Sequence, residues 1–208
     1  MRWIEEVMKE QIAKILYNLI EKGKKTDGKT NGNRFDSGIL HASDQGQADI
    51  AEQDKSAGQI VDRNTFERIV GESLKKKEPG WLLVCNVDRC REINNIYGRD
   101  IGDNVLRYVA VTLCDVFREC TCIVSPGGDT FTLWLHGTFR DNGDELRIQV
   151  GVVNDRLLHP TQELPPVTVS VGAAYSKEVD DCRSLEKRAG KALYTVKENG
   201  RCGCEVAL

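Results

Sequence analysis

Three short segments of this sequence carry side chains whose types and spacing can do chemistry. Asn86-Val87-Asp88 closes an apolar run. Polar groups just past the carboxyl end of a strand commonly line a ligand site, though the same pair could instead cap the next helix. Gly127-Gly128-Asp129-Thr130-Phe131 joins two glycines, which let backbone approach a ligand closely, to a carboxylate suited to a divalent cation. An ordinary turn is the plainer reading of that segment. Lys197 and Arg201 could grip a phosphate together, or could simply oppose the negative end of a helix.

The elements that must position these groups follow from periodicity. Ile4, Val7, Met8, Ile12, Ile15, Leu16 and Leu19 recur at three- and four-residue steps, predicting an amphipathic helix over 3–22 that seeks a partner. Residues 23–58 hold few large apolar side chains and read as a polar linker, with a short helix near 47–54. The main domain is expected over 59–208. Its pattern predicts a helix at 62–76, a strand at 81–87, a short helix at 90–96 and a longer one at 101–119. Strands at 122–125 and 130–136 then flank the glycine-rich turn as a β-hairpin. A helix at 143–158, a strand at 167–175, a helix at 183–198 and a strand at 201–207 complete the order. Helices interleave with strands, yet a tight hairpin joins two of them, so the sheet cannot be all parallel and the class is α+β.

Composition bounds the function. The chain has 208 residues, with 29 basic and 32 acidic side chains and a net charge of −3, which argues against a nucleic-acid grip. No apolar run approaches the ~20 residues of a membrane span. The charged start, Met1-Arg2-Trp3-Ile4-Glu5-Glu6, is unlike a signal peptide, so a cytoplasmic protein is expected. The eight cysteines are too few for a disulfide scaffold and are expected as thiols. Cys120 with Cys122 and Cys202 with Cys204 could form a Cys₄ zinc site, but the usual C-x₂-C spacing is missing. Cys85, Cys90 and Cys114 sit in apolar patterns, as small core residues do. His41, His136 and His159 share no ligand-like spacing.

Four blocks in order resemble one family. The run from Asn86 to Gly98, with Gly102-Asp103-x-Val105-Leu106, resembles the first-strand signature D-x-D-x-F-K-x-I-N-D-x-x-G-H-x-x-G-D-x-V-L of GGDEF domains, the diguanylate cyclases. Gly127 to Phe131 stands where the namesake hairpin falls. Thr168-Val169-Ser170-Val171-Gly172-Ala173 is similar to T-V-S-I-G-V, and Ala192-Leu193-Tyr194-x-x-Lys197-x-x-Gly200-Arg201 to A-L-Y-x-A-K-x-x-G-R. The resemblance covers about 55–207. It implies a nucleotidyl-cyclase-like, palm or ferredoxin-like fold: a mixed, largely antiparallel sheet flanked by helices. It also implies condensation of two GTP into cyclic di-GMP and two pyrophosphates across a homodimer, with Mg²⁺ or Mn²⁺. Carried over by position, Asn94 and Asp103 read guanine, and Arg91, Lys197 and Arg201 hold phosphates. Gly127 and Gly128 leave room for the nucleotide, while the Val87 carbonyl and Asp129 hold metal.

The departures from that pattern set the functional expectation. The first metal-binding Asp of the family is Asn86 here, and the glutamate after its G-G-[DE] is Thr130. Unless Asp88 turns inward, Asp129 is the one carboxylate left for two cations. That loss is expected to cost several kcal/mol, roughly a thousandfold in rate. Cys90 replaces a Phe and Arg99 a His. The product-inhibition motif R-x-x-D falls on Arg118 to Thr121 and lacks its Asp. The sequence therefore predicts a degenerate signalling domain with weak or no cyclase activity that retains GTP binding. Its metal requirement then lapses unless it is active, and it forms a homodimer, with the N-terminal helix as the contact. The alternative is an active diguanylate cyclase.

Overall fold

The apolar run from Trp81 to Val87 becomes the middle of the molecule. In the computed structural model, which describes residues 59–118, 120–137, 143–160 and 163–207, it forms strand β2 (Gly80–Val87). This strand lies between β4 (Thr130–His136) and β5 (Val169–Tyr175), antiparallel to both. β3 (Cys120–Gly127) pairs antiparallel with β4 across the glycine-rich turn. Each edge then gains a parallel strand: β1 (Gln59–Ile60) beside β3, and β6 (Cys204–Ala207) beside β5. The six-stranded order is β1-β3-β4-β2-β5-β6, the mixed, largely antiparallel sheet that was expected.

Helices cover both faces. Trp81, Leu83, Cys85 and Val87 pack with Val105, Val109 and Leu113 of α3 (Arg99–Val116) and with Leu146, Val150 and Val153 of α4 (Asp144–Leu158). The short α2 (Cys90–Tyr97) adds Cys90 and Ile93 to that side. Leu82 and Trp134 face the other way, against Phe66 and Val70 of α1 (Arg63–Lys75) and Leu185 and Ala189 of α5 (Cys182–Glu198). A strand covered on both sides has no reason to alternate polar and apolar residues, hence its continuous apolar run. Each large side chain so buried contributes about 1.5–3 kcal/mol.

α5 matters most for the site because it carries Lys197. It starts from a capping box between Asp181 and Ser184. It then lies directly on β5, where a Cβ at Gly172 would fall 2.1 Å from the Ala189 carbonyl oxygen and 2.2 Å from the Leu193 nitrogen. No side chain fits there, so glycine sets how close the helix comes. α1 is capped by Asp62, whose carboxylate accepts the Thr65 N–H at 3.0 Å. Arg63 joins it to α5 through bonds of 2.5 and 2.7 Å to the Glu186 carboxylate.

The structure moves several expected boundaries. α3 stops at Val116 although the apolar period runs on, because the Cys120 N–H turns back to the Phe117 carbonyl and steers the chain into β3. The last strand starts at Cys204, not 201, since Gly200, Arg201 and Cys202 all take positive φ and form a turn. β1 was not expected at all. At two residues it is too short to leave a periodic signal. The helix over 3–22, the linker over 23–58 and the short helix near 47–54 lie outside the described residues.

Candidate functional site

Register brings the first two motifs together. Asn86 pairs with Thr130 on β4 and with Ser170 on β5, at the carboxyl end of the central strand. Alternation puts its side chain on the face of Leu82, the face that α5 covers. Its amide Nδ2 donates to Asp129 Oδ1 at 2.8 Å and to Thr130 Oγ1 at 3.0 Å. Its Oδ1 accepts from Lys197 Nζ at 2.8 Å. Charge dictates this orientation: reversed, the amide would offer N–H to an ammonium and oxygen to a carboxylate. The hairpin tip is pinned by the Val87 N–H, which donates to the Asp129 carbonyl at 2.9 Å. Beyond it, Gly127 and Gly128 take φ of 120° and 68°, and apart from their chain neighbours no atom lies within 4 Å of where a Cβ would stand. The tip is open.

Asp88 goes elsewhere. Its buried carboxylate accepts from the Thr168 and Ser170 hydroxyls at 2.8 Å each, and from the Cys202 N–H at 3.3 Å. It neither turns toward Asp129 nor caps α2, whose N-cap is Arg89 with no side-chain bond. The Cys202 bond holds a turn in which Arg201 and Cys202 take φ of 70° and 53°. Left-handed backbone costs such residues about 1–2 kcal/mol each, so the turn needs its anchors. The second anchor is the Arg201 N–H on the Val196 carbonyl at 2.9 Å. Asp88 and its hydroxyl partners thereby set where Arg201 stands, a role that sequence reasoning missed.

The guanine readers implied by the resemblance sit on the opposite face of the sheet. Asn94 lies on α2 and Asp103 in the second turn of α3, so Asp103 is not part of a loop turn. A Cβ at Gly102 would lie 1.7 Å from Asn94 Oδ1. Gly102 is thus what lets the Asn94 amide lie against α3; a glycine inside a helical pattern was the available signal. Asp103 and Asp129 both act on Cys90, whose thiol is pushed up first by burial and then by these two carboxylates.

The remaining positions fall as follows. Lys197 is half-buried in the last turn of α5, and its ammonium meets Asn86 rather than the helix's own carbonyls. Arg91 and Arg201 are exposed. Arg118 is exposed after α3 and bonds to Asp115, at 3.2 Å to its carbonyl and 3.4 Å to Oδ1, while Thr121 is exposed on β3.

These residues do not fit a pair of divalent cations. Hydrogens of the Asn86 amide, not lone pairs, face Asp129, and the amide oxygen is taken by Lys197. Among the described residues no cluster of three His, Cys, Asp or Glu side chains could hold a metal. The Cys₄ alternative fails on topology, since β3 and β6 are four strand spacings apart, about 19 Å. All eight thiols are free. His136 and His159 are surface residues, beside Glu78 and Asp155 respectively; His41 lies outside the described residues.

Comparison with known proteins supplies the lineage. Residues 51–202 match the family described as "Diguanylate cyclase, GGDEF domain". Diguanylate cyclase A of Treponema denticola is 30% identical over 135 residues, which is 64% of this chain and 36% of that protein. Diguanylate cyclase DgcM of Escherichia coli is 34% identical over 124 residues, 58% of this chain and 29% of that one. The chain thus spans about a third of the length of these relatives. Among solved structures, the GGDEF domain of DgcB from Caulobacter crescentus in complex with c-di-GMP aligns at a TM-score of 0.61 and 22% identity. It covers 75% of this chain and 98% of that one. The active GGEEF domain of a diguanylate cyclase from Vibrio cholerae aligns at 0.62 and 20%, covering 71% and 97%. These likenesses establish the fold, and no helix among the described residues is long and apolar enough to cross a membrane. The match over most of its length places the chain in the diguanylate cyclase family of GGDEF domains.

Proposed function

We propose that this chain is a guanine-nucleotide-binding GGDEF domain of the cyclic di-GMP pathway with little or no cyclase turnover. The observation that carries this reading is the Asn86 amide donating to Asp129 and Thr130, where the family's pattern places carboxylates for metal. Joining two GTP into cyclic di-GMP with release of two pyrophosphates demands that cations offset charge on the reacting phosphates. Asp129 alone, already bonded to an amide, is a poor support for two ions. The recognition parts remain: Asn94 and Asp103 for guanine, Lys197, Arg201 and Arg91 for phosphates, and open space over Gly127 and Gly128. A homodimer is part of the same proposal, as the family resemblance implies.

Two measurements on the purified chain test it. Incubated with GTP and Mg²⁺ or Mn²⁺, it makes little or no cyclic di-GMP; turnover near ~1 per second, the ordinary enzyme range, would establish an active cyclase instead. By calorimetry, GTP or GDP binds at least about tenfold more tightly than ATP, about 1.4 kcal/mol. Guanine offers N1–H and an amino group to the ionised Asp103 carboxylate, and adenine leaves that carboxylate unsatisfied. Asp103→Ala removes most of that preference, and Lys197→Ala weakens both nucleotides alike. Equal binding of GTP and ATP would refute the guanine assignment.

A further inference from the structure

We infer that this site binds guanine nucleotide without a divalent cation, because Lys197 held by Asn86 supplies the positive charge that a metal would bring. The inference rests on the guanine-nucleotide reading and adds to it the ionic form the site accepts. Three bonds carry it: Asn86 Nδ2 to Asp129 Oδ1 at 2.8 Å, Nδ2 to Thr130 Oγ1 at 3.0 Å, and Lys197 Nζ to Asn86 Oδ1 at 2.8 Å. Together they make a closed chain from ammonium through amide to carboxylate. One positive and one negative charge are joined through a neutral group, so the cluster has no net charge for a cation to offset.

The site is arranged so that the ammonium is used but not exhausted. An ammonium has three donors, and Asn86 takes one, leaving two for phosphate oxygens. Asn86 also fixes where the flexible lysine stem ends, which removes part of the ordering cost of binding. Arg201 follows Lys197 on a turn anchored by Asp88, so a second cation is placed by the backbone. Asp129 is compensated by the amide before any nucleotide arrives.

An aspartate at position 86 would behave differently. It would set a second carboxylate oxygen against Asp129 in place of an N–H, with Lys197 as the neighbouring positive charge, and a cation would then be required between the two. Asn86→Asp changes one atom type and no volume, so it isolates charge from packing.

The test is calorimetry of GTP binding to the whole chain, once in EDTA and once in excess Mg²⁺. The native chain is expected to bind GTP with affinities within about threefold of each other in the two buffers. Asn86→Asp is expected to lose about tenfold or more in EDTA and to regain it with Mg²⁺. A native chain that loses more than about threefold in EDTA overturns the inference while leaving the nucleotide reading intact. So does an Asn86→Asp variant indifferent to EDTA. A native chain that binds GTP in neither buffer refutes the nucleotide reading itself, and the inference with it. Mn²⁺ alone, followed by its electron spin resonance, gives a readout free of nucleotide. The ion stays free beside the native chain and is captured by Asn86→Asp; capture by the native chain overturns the inference.

Discussion

Asn86 and Asp88 stand two residues apart at the end of β2, and their surroundings are inverted. Asp88 is a charged group among neutral donors: two hydroxyls and a backbone N–H, all from β5 and its neighbouring turns. Asn86 is a neutral group between charged ones, an ammonium on one side and a carboxylate on the other. One position holds a charge that fastens the scaffold, and the other holds a neutral amide. On the proposed function, a ligand-facing position can thus change its chemistry without loosening the strand that carries it, because the buried carboxylate beside it does the fastening.

The comparison breaks most readily at Asp88. Asp88→Ala strands the Thr168 and Ser170 hydroxyls and frees the turn at Arg201 and Cys202, so it is expected to lower the unfolding free energy by about 3 kcal/mol. Urea unfolding reads this as a lower midpoint at constant slope. Asn86→Ala, measured alongside, is expected to cost only about 1 kcal/mol, since its partners reach water at the open end of the sheet. Equal losses would abolish the distinction between the two positions.

Gly102→Ala sharpens the comparison from the other face. The new methyl group displaces the Asn94 amide, so on the guanine-nucleotide reading GTP affinity is expected to fall about tenfold, or 1.4 kcal/mol. Thermal stability holds or rises slightly, because alanine suits a helix interior better than glycine. An unchanged affinity would remove Asn94 from the site.

The last effect concerns pH and belongs to the core rather than to either position. Burial pushes the Cys114 thiol up to about 11 and those of Cys122 and Cys204 up to about 12. The folded chain therefore keeps thiol protons that the unfolded chain releases above the ordinary value of 9.0. Stability is fully present below about pH 9, declines as pH rises past it, and the decline from these thiols levels off beyond about 12. Asp88→Ala and Asn86→Ala should shift the unfolding midpoint with unchanged alkaline slope.

Much of this was readable from residues in order, and the reasons differ. β2 announced itself because both its faces are covered, and the hairpin because its glycines sit between two apolar runs. The blocks around Asn86, Gly127, Thr168 and Lys197 carry the family in their order and spacing. The partners of Asn86 and Asp88 were not readable. Lys197 lies 111 positions from Asn86, and Cys202 lies 114 from Asp88. Only strand register and the close seat of α5 on Gly172 bring them together. The parallel edge strand β1 was lost for the opposite reason, being too short to carry a pattern.

The ion pair between Arg63 and Glu186 has a mechanical consequence. Glu186 and Lys197 are eleven positions apart on α5, close to three full turns, so they share one side of a rod about 16 Å long. Arg63 opens α1, the first helix after residues 1–58, and grips the near end of that rod with two bonds. Lys197 holds Asn86 at the far end. α5 is thus clamped at both ends, to α1 through Arg63 and to the central strand through Lys197.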